Sequence, residues 1–209
     1  MDSFTKYLAG TVVRPHAVFL RLREDPRAQV QAAKAVLLIG MLYTLTVAGL
    51  AVSGMPISMK PWLALPEEGY YFREIFFAMP AMFMGWIFAS GLMQVLCRML
   101  GGSGSFESTM GTLGFAFTLP TFVTWIPESV GAALFLTGVT TPDEFRSFAG
   151  GSPALQAFLN AYQLIAVGWM LALTVIAART SHALPWWKAT AAGLLGLSAF
   201  MGTMLVFIR

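Results

Sequence analysis

Charge is scarce in this chain: Asp, Glu, Lys and Arg make up only 11% of its 209 residues, against roughly 25% in a soluble domain. That leaves no room for a separate soluble domain. Cysteine and histidine are scarcer still. The single cysteine, Cys97, excludes an intrachain disulfide. The two histidines, His16 and His182, stand at opposite ends of the chain with no nearby cysteine or paired carboxylates. No HExxH, CxxC or carboxylate-plus-histidine helical motif occurs, so neither a metal site nor a cofactor is expected. The thirteen basic residues are spread along the chain instead of being gathered in one patch, which speaks against a nucleic-acid partner despite the net charge of +3.

Apolar residues supply what charge does not, at 57% of the chain. They are concentrated in five runs: Ala35–Val52, Ile75–Cys97, Gly111–Val139, Phe158–Ala178 and Ala189–Ile208. A hydrocarbon core about 30 Å thick takes about 20 helical residues to cross. Four runs carry no charge, and the third carries Glu128. A chain of 209 residues cannot bury five such runs on every side in water. The expected fold is therefore an all-α integral membrane protein, a five-transmembrane-helix bundle over residues 35–209. Its spans are expected at about 35–52, 73–99, 109–138, 154–178 and 187–208, behind an amphipathic segment at 1–34. The first 34 residues hold nine charges and lack the apolar stretch of a cleavable signal, so the first span reads as a retained anchor. Nine basic residues fall on the N-terminal side of the bundle and four on the other. By the positive-inside rule the N-terminus is cytoplasmic and the C-terminus external.

Local signals refine this outline. Pro15 suits a first helical position, with Ala17, Val18, Phe19 and Leu22 on one face and Arg21, Arg23 and Glu24 opposite. Such a helix, with Arg14, Phe19, Arg21 and Arg23 as its candidate lipid-facing residues, either reads anionic lipid at the interface or anchors under the bundle. Pro56, Pro61 and Pro66 predict an irregular external loop, with Trp62 near the interface. Pro80 predicts a kink in the second span. Gly101-Gly102-Ser103-Gly104-Ser105 lacks the GK[ST] ending of a phosphate loop and reads as a tight interhelical hairpin, with Ser105 capping the next helix. Thr141-Pro142-Asp143-Glu144 is a capping box that predicts a short external helix ending at Gly150-Gly151. Ser152-Pro153 opens the fourth span, and Pro185-Trp186-Trp187 the fifth. In the last span Ala189/Gly193, Ala192/Gly196 and Ser198/Gly202 are small residues four apart, suited to close packing in the bundle or to a dimer face.

Glu128 is the one ionisable residue inside an apolar run. Carboxylates at mid-membrane cost about 2.5–3.5 kcal/mol to insert and mark functional sites. With Pro127, Pro120 and Gln94 it forms a candidate intramembrane polar site, in a third helix expected to be broken at its prolines. The alternative is ordinary: a helix starting at Phe106 reaches the far interface near Pro127, where a carboxylate costs little. Cys97 reads as a small core residue.

Arg14-Pro15 followed by Phe19-Leu20-Arg21 resembles the pre-membrane segment of the Yip domain family, membrane proteins that include Ypt/Rab-interacting members. The hairpin Leu100 to Phe106, with Gly101, Gly102, Ser105 and Phe106, is similar to the family's GG-x-G-S-F turn. Gly114-Phe115, Pro120 and Ile126-Pro127 resemble its third span, and Lys188-Ala189 fits the start of its last. The long N-terminal region and the DLYGP-like motif of eukaryotic members are absent, so the Rab-binding role does not carry over. The short form looks like the prokaryotic branch, which implies a bacterial inner membrane. The function expected is non-catalytic: a membrane-organising or adaptor subunit acting on membrane lipids and on a membrane-protein partner or a second copy. The alternative is a small oligomeric transporter or channel using Glu128.

Overall fold

The computed structural model describes residues 3–55, 62, 65–141, 143, 144, 147 and 152–208. The described residues form helices and no strands: α1 (Ser3–Val13), α2 (Pro15–Glu24), α3 (Ala28–Val52), α4 (Tyr70–Met99), α5 (Phe106–Leu136), α6 (Pro153–His182) and α7 (Trp186–Phe207). The last five are long and apolar enough to cross a membrane. At 1.5 Å per residue the 31 residues of α5 extend about 46 Å, more than one hydrocarbon thickness.

The helices outrun the apolar windows that announced them. α3 starts at Ala28, because Ala28-Gln29-Val30-Gln31-Ala32-Ala33-Lys34 is built of good helix formers and nothing in it stops a helix. α1 carries no strong sequence signal, and tertiary contacts hold it. Phe4 and Tyr7 pack on the Phe115 ring of α5 at centroid distances of 6.2 and 5.9 Å. The Tyr7 hydroxyl donates to Asp25 Oδ2 at 2.8 Å.

The five long helices close into a ring in the order α3, α4, α7, α6, α5 and back to α3. α3 and α5 run parallel: Gly111 and Gly114 face Ala28 and Ala32 at one end, and Gly49 faces Ala132 and Leu136 at the other. Small residues let these backbones approach, which is the main source of helix association where lipid removes the hydrophobic drive. Ala189, Ala192, Gly193 and Gly196 of α7 are buried inside the ring, with Gly193 against Val175 of α6 and Gly196 against Met93 of α4. Gly202 has open space beside it.

One end of the ring carries the α4–α5 hairpin, the α6–α7 turn and α1–α2. The other carries the longer connections and is called the loop end below. Near the hairpin end α4 crosses to α5, where Trp86 Nε1 donates to Met110 O at 3.0 Å. Phe117 of α5 stacks on Phe200 of α7 at 4.2 Å.

Two expectations need correction. The third long helix is continuous through Pro120 and Pro127, not broken. Pro127 leaves the Val123 carbonyl without its helical donor, and the Tyr162 hydroxyl of α6 donates to that carbonyl at 2.7 Å. The second concerns Phe19, which does not face lipid. It is fully buried with Val18 and Leu22, because α2 packs its apolar stripe against α6 and α5. Of the predicted external loop and helix, Pro56, Pro61, Pro142, Gly150 and Gly151 lie outside the described residues. The capping box itself is formed: Thr141 N donates to Glu144 Oε2 at 2.8 Å, and Glu144 N to Thr141 Oγ1 at 3.3 Å. These bonds hold the exposed Glu144 carboxyl below its ordinary range, the backbone donor contributing most.

Candidate functional site

The hairpin end is tightly built. Gly101, with φ 90°, ends α4 in a left-handed turn, and Gly102 N donates to Cys97 O at 2.8 Å while Gly101 N donates to Arg98 O at 3.0 Å. This is a Schellman motif. Ser105 then caps α5 by accepting from Ser108 N at 3.2 Å. Between these two ends the hairpin rests on the last turn of α6. Ser103 N donates to His182 O at 3.2 Å. A Cβ on Gly104 would collide with the Ser181 carbonyl. Phe106 is exposed beside the cap.

Gln94 belongs to this end. Its amide donates to Gly104 O at 3.1 Å and its carbonyl accepts from Thr109 Oγ1 at 2.7 Å. Thr109 Oγ1 also lies 2.8 Å from His182 Nε2, and Thr112 Oγ1 lies 3.0 Å from Ser181 Oγ. Gln94 is thus not part of one polar site with Glu128, as the sequence suggested. Thr109 and Glu128 are 19 residues apart on one helix, a separation of about 28 Å. Pro120 is buried within α5 between the two ends. His182, which sequence alone left isolated, is buried and central here. Its signal was the short Ser181-His182-Ala183-Leu184-Pro185 turn, whose glycine partners are distant in sequence.

Around this end stands a basic rim. Arg14, Arg21, Arg23, Arg27, Lys34 and Arg98 are exposed. Arg23 donates to Thr180 O at 3.3 Å, and Lys188 to Leu100 O at 2.7 Å. Both carbonyls lie at helix C-terminal ends, where a cation is favoured by the dipole. The Arg179 guanidinium sits 4.1 Å over the Trp186 ring, and Lys188 5.4 Å over that of Trp187.

At the loop end the ring holds a cavity of about 480 Å³ that is open on one side. All five long helices line it, among them Tyr43, Tyr71, Thr121, Thr124, Pro127, Glu128 and Gln163. Glu128 lies eight residues before the end of α5, about 12 Å inside it. It lines the cavity, and α5 runs on past it to Leu136. The Tyr43 hydroxyl of α3 donates to Glu128 Oε1 at 3.2 Å. Glu74 is fully buried in the first turns of α4. The sequence reading passed over Glu74 because it stands just outside an apolar run. Among the described residues no group of three His, Cys, Asp or Glu is placed to hold a metal ion. Cys97 is buried.

A ring of five helices, each long and apolar enough to cross a membrane, defines an integral, multi-pass membrane protein. The Yip1 domain family model matches residues 9–208, and the chain belongs to that family. No curated protein and no solved structure matches the chain.

Proposed function

We propose that this Yip family member is a non-catalytic membrane-organising protein, with its hairpin end at the cytoplasmic face of a bacterial inner membrane. It engages anionic headgroups through the basic rim. The observation that carries the reading is how the rim is held. The apolar stripe of α2 is consumed by packing, with Phe19 and Leu22 fully buried. Arg14, Arg21 and Arg23 are left exposed, and Arg179 and Lys188 lie against Trp186 and Trp187, which are 54% and 69% exposed. Tryptophans favour headgroup depth, and each nearby Lys or Arg adds about 1 kcal/mol of attraction to an anionic surface.

The full chain in nanodiscs tests this by native mass spectrometry of retained lipid. Phosphatidylglycerol is expected to be retained over phosphatidylcholine, and Arg21→Gln with Arg23→Gln to reduce the preference. Equal retention before and after substitution removes the headgroup role. An adaptor role adds a stoichiometric partner, or a second copy, that co-purifies in mild detergent. Repeated isolation as a lone monomer counts against it.

The Tyr43–Glu128 pair supports a second reading, a small transporter or channel. Its test is flux in proteoliposomes, which Glu128→Gln should abolish while expression persists.

A further inference from the structure

We propose that the loop-end cavity is a binding site for an organic cation with an apolar body, its charge set against Glu128. Volume is the first argument. The cavity's 480 Å³ falls within the roughly 300–1,000 Å³ of small-molecule sites. A proton or a bare metal ion would leave it nearly empty. A second argument is charge. Glu128 is the sole charged residue among the described lining residues, and none of them is lysine, arginine or histidine. A cation is what would stabilise the ionised form of this carboxylate in a low-dielectric ring, and Tyr43 supplies only a neutral hydrogen bond at 3.2 Å.

The walls select the rest of the ligand. Aromatic residues from four helices, Tyr43, Tyr71, Phe135 and Phe200, line the same space, and the faces of such rings attract ammonium groups that hydrogen bonds cannot reach. Five methionines complete the apolar wall, a flexible, polarisable lining that accommodates varied shapes. Thr121, Thr124 and Gln163 leave a few polar atoms for orientation. A metal ion would instead need several oxygen ligands around one point, and among the described residues Glu128 has no two further His, Cys, Asp or Glu grouped with it. Binding requires neither flux nor the headgroup reading.

The full chain in nanodiscs is titrated calorimetrically with benzyltrimethylammonium and, separately, with neopentylbenzene, its uncharged carbon isostere. The cation is expected to bind saturably at one site per chain, and the isostere not to bind. Binding of neither, or of both equally, overturns the proposal; equal binding would make the cavity an apolar lipid-chain pocket. Glu128→Gln keeps the shape and removes the charge, and is expected to weaken the cation at least about thirtyfold. Unchanged affinity in a folded Glu128→Gln chain overturns it as well. Should that variant fail to fold, the unsubstituted chain is photolabelled with (4-benzoylbenzyl)trimethylammonium. Adducts on cavity residues of α5 and α7 support the site. Adducts confined to the hairpin end refute it.

Discussion

Tyr162 of α6 donates its hydroxyl to the Val123 carbonyl of α5 at 2.7 Å, the carbonyl that Pro127 strips of its helical donor. In lipid no water stands ready to satisfy a freed carbonyl, so a neighbouring helix must do so. The same bond ties α6 to α5 one turn from Glu128. Tyr162→Phe keeps the ring and removes the donor, and should cost about 1 kcal/mol of stability. Pro127→Ala restores an N–H to Val123, so the phenylalanine should cost less in that background. Unfolding midpoints of the four proteins in detergent measure the coupling. Strictly additive changes would mean that Tyr162 does not act through the proline.

What the sequence conveyed follows from that bond. Span number was legible because a membrane demands about 20 apolar residues per crossing, and five runs meet it. Continuity of α5 was not legible, because the donor that repairs it stands 39 positions away in another helix. The role of Phe19 was hidden for a related reason: an apolar stripe looks the same whether lipid or α6 covers it. Gln94 and Glu128 looked like neighbours in polarity alone, but they sit at opposite ends of one helix pair. The cavity drew on residues from all five spans, so no local pattern could announce it. The glycine hairpin was legible as a turn. Its reason lay in the facing α6 turn.

That reason predicts unequal glycines. Gly104→Ala would drive its Cβ into the backbone carbonyl of Ser181, which has no rotamer to yield. Gly91, within α4, has nothing within 4 Å of a Cβ. Gly91→Ala should therefore be neutral or stabilising by up to about 1 kcal/mol, from helix propensity. Gly104→Ala should lower the unfolding midpoint and loosen the hairpin, read as faster amide exchange at Ser103. Similar behaviour of the two variants would refute the close contact.

Tyr7 and Asp25 predict a pH dependence. Burial first, then the hydrogen bond to Asp25 and its negative charge, push the Tyr7 hydroxyl from 10.0 up to about 12. The folded state thus holds the proton more tightly than the unfolded state. The stabilisation is fully present below pH 10 and is lost as pH rises through about 12. Tyr7→Phe should be less stable than the parent by a constant margin up to that window, and the margin should vanish across it. Asp25→Asn should lower the Tyr7 titration only in part, because burial remains. A margin that stays constant to the top of the window would detach α1 from this bond.

Orientation gives the most direct check on the headgroup reading. Ser103 at the hairpin end and Thr137 at the loop end are both exposed, and the only cysteine, Cys97, is buried and replaceable by alanine. The basic side chains gather at the hairpin end, and basic residues are retained on the cytoplasmic side. In a Cys97→Ala background, an impermeant maleimide added outside intact cells should label Thr137→Cys and leave Ser103→Cys untouched until the cells are opened. The reverse pattern would put the rim of Arg21, Arg23 and Lys188 on the external face. The anionic cytoplasmic leaflet could not then be its target, and the function would have to be sought at the loop end, around Glu128.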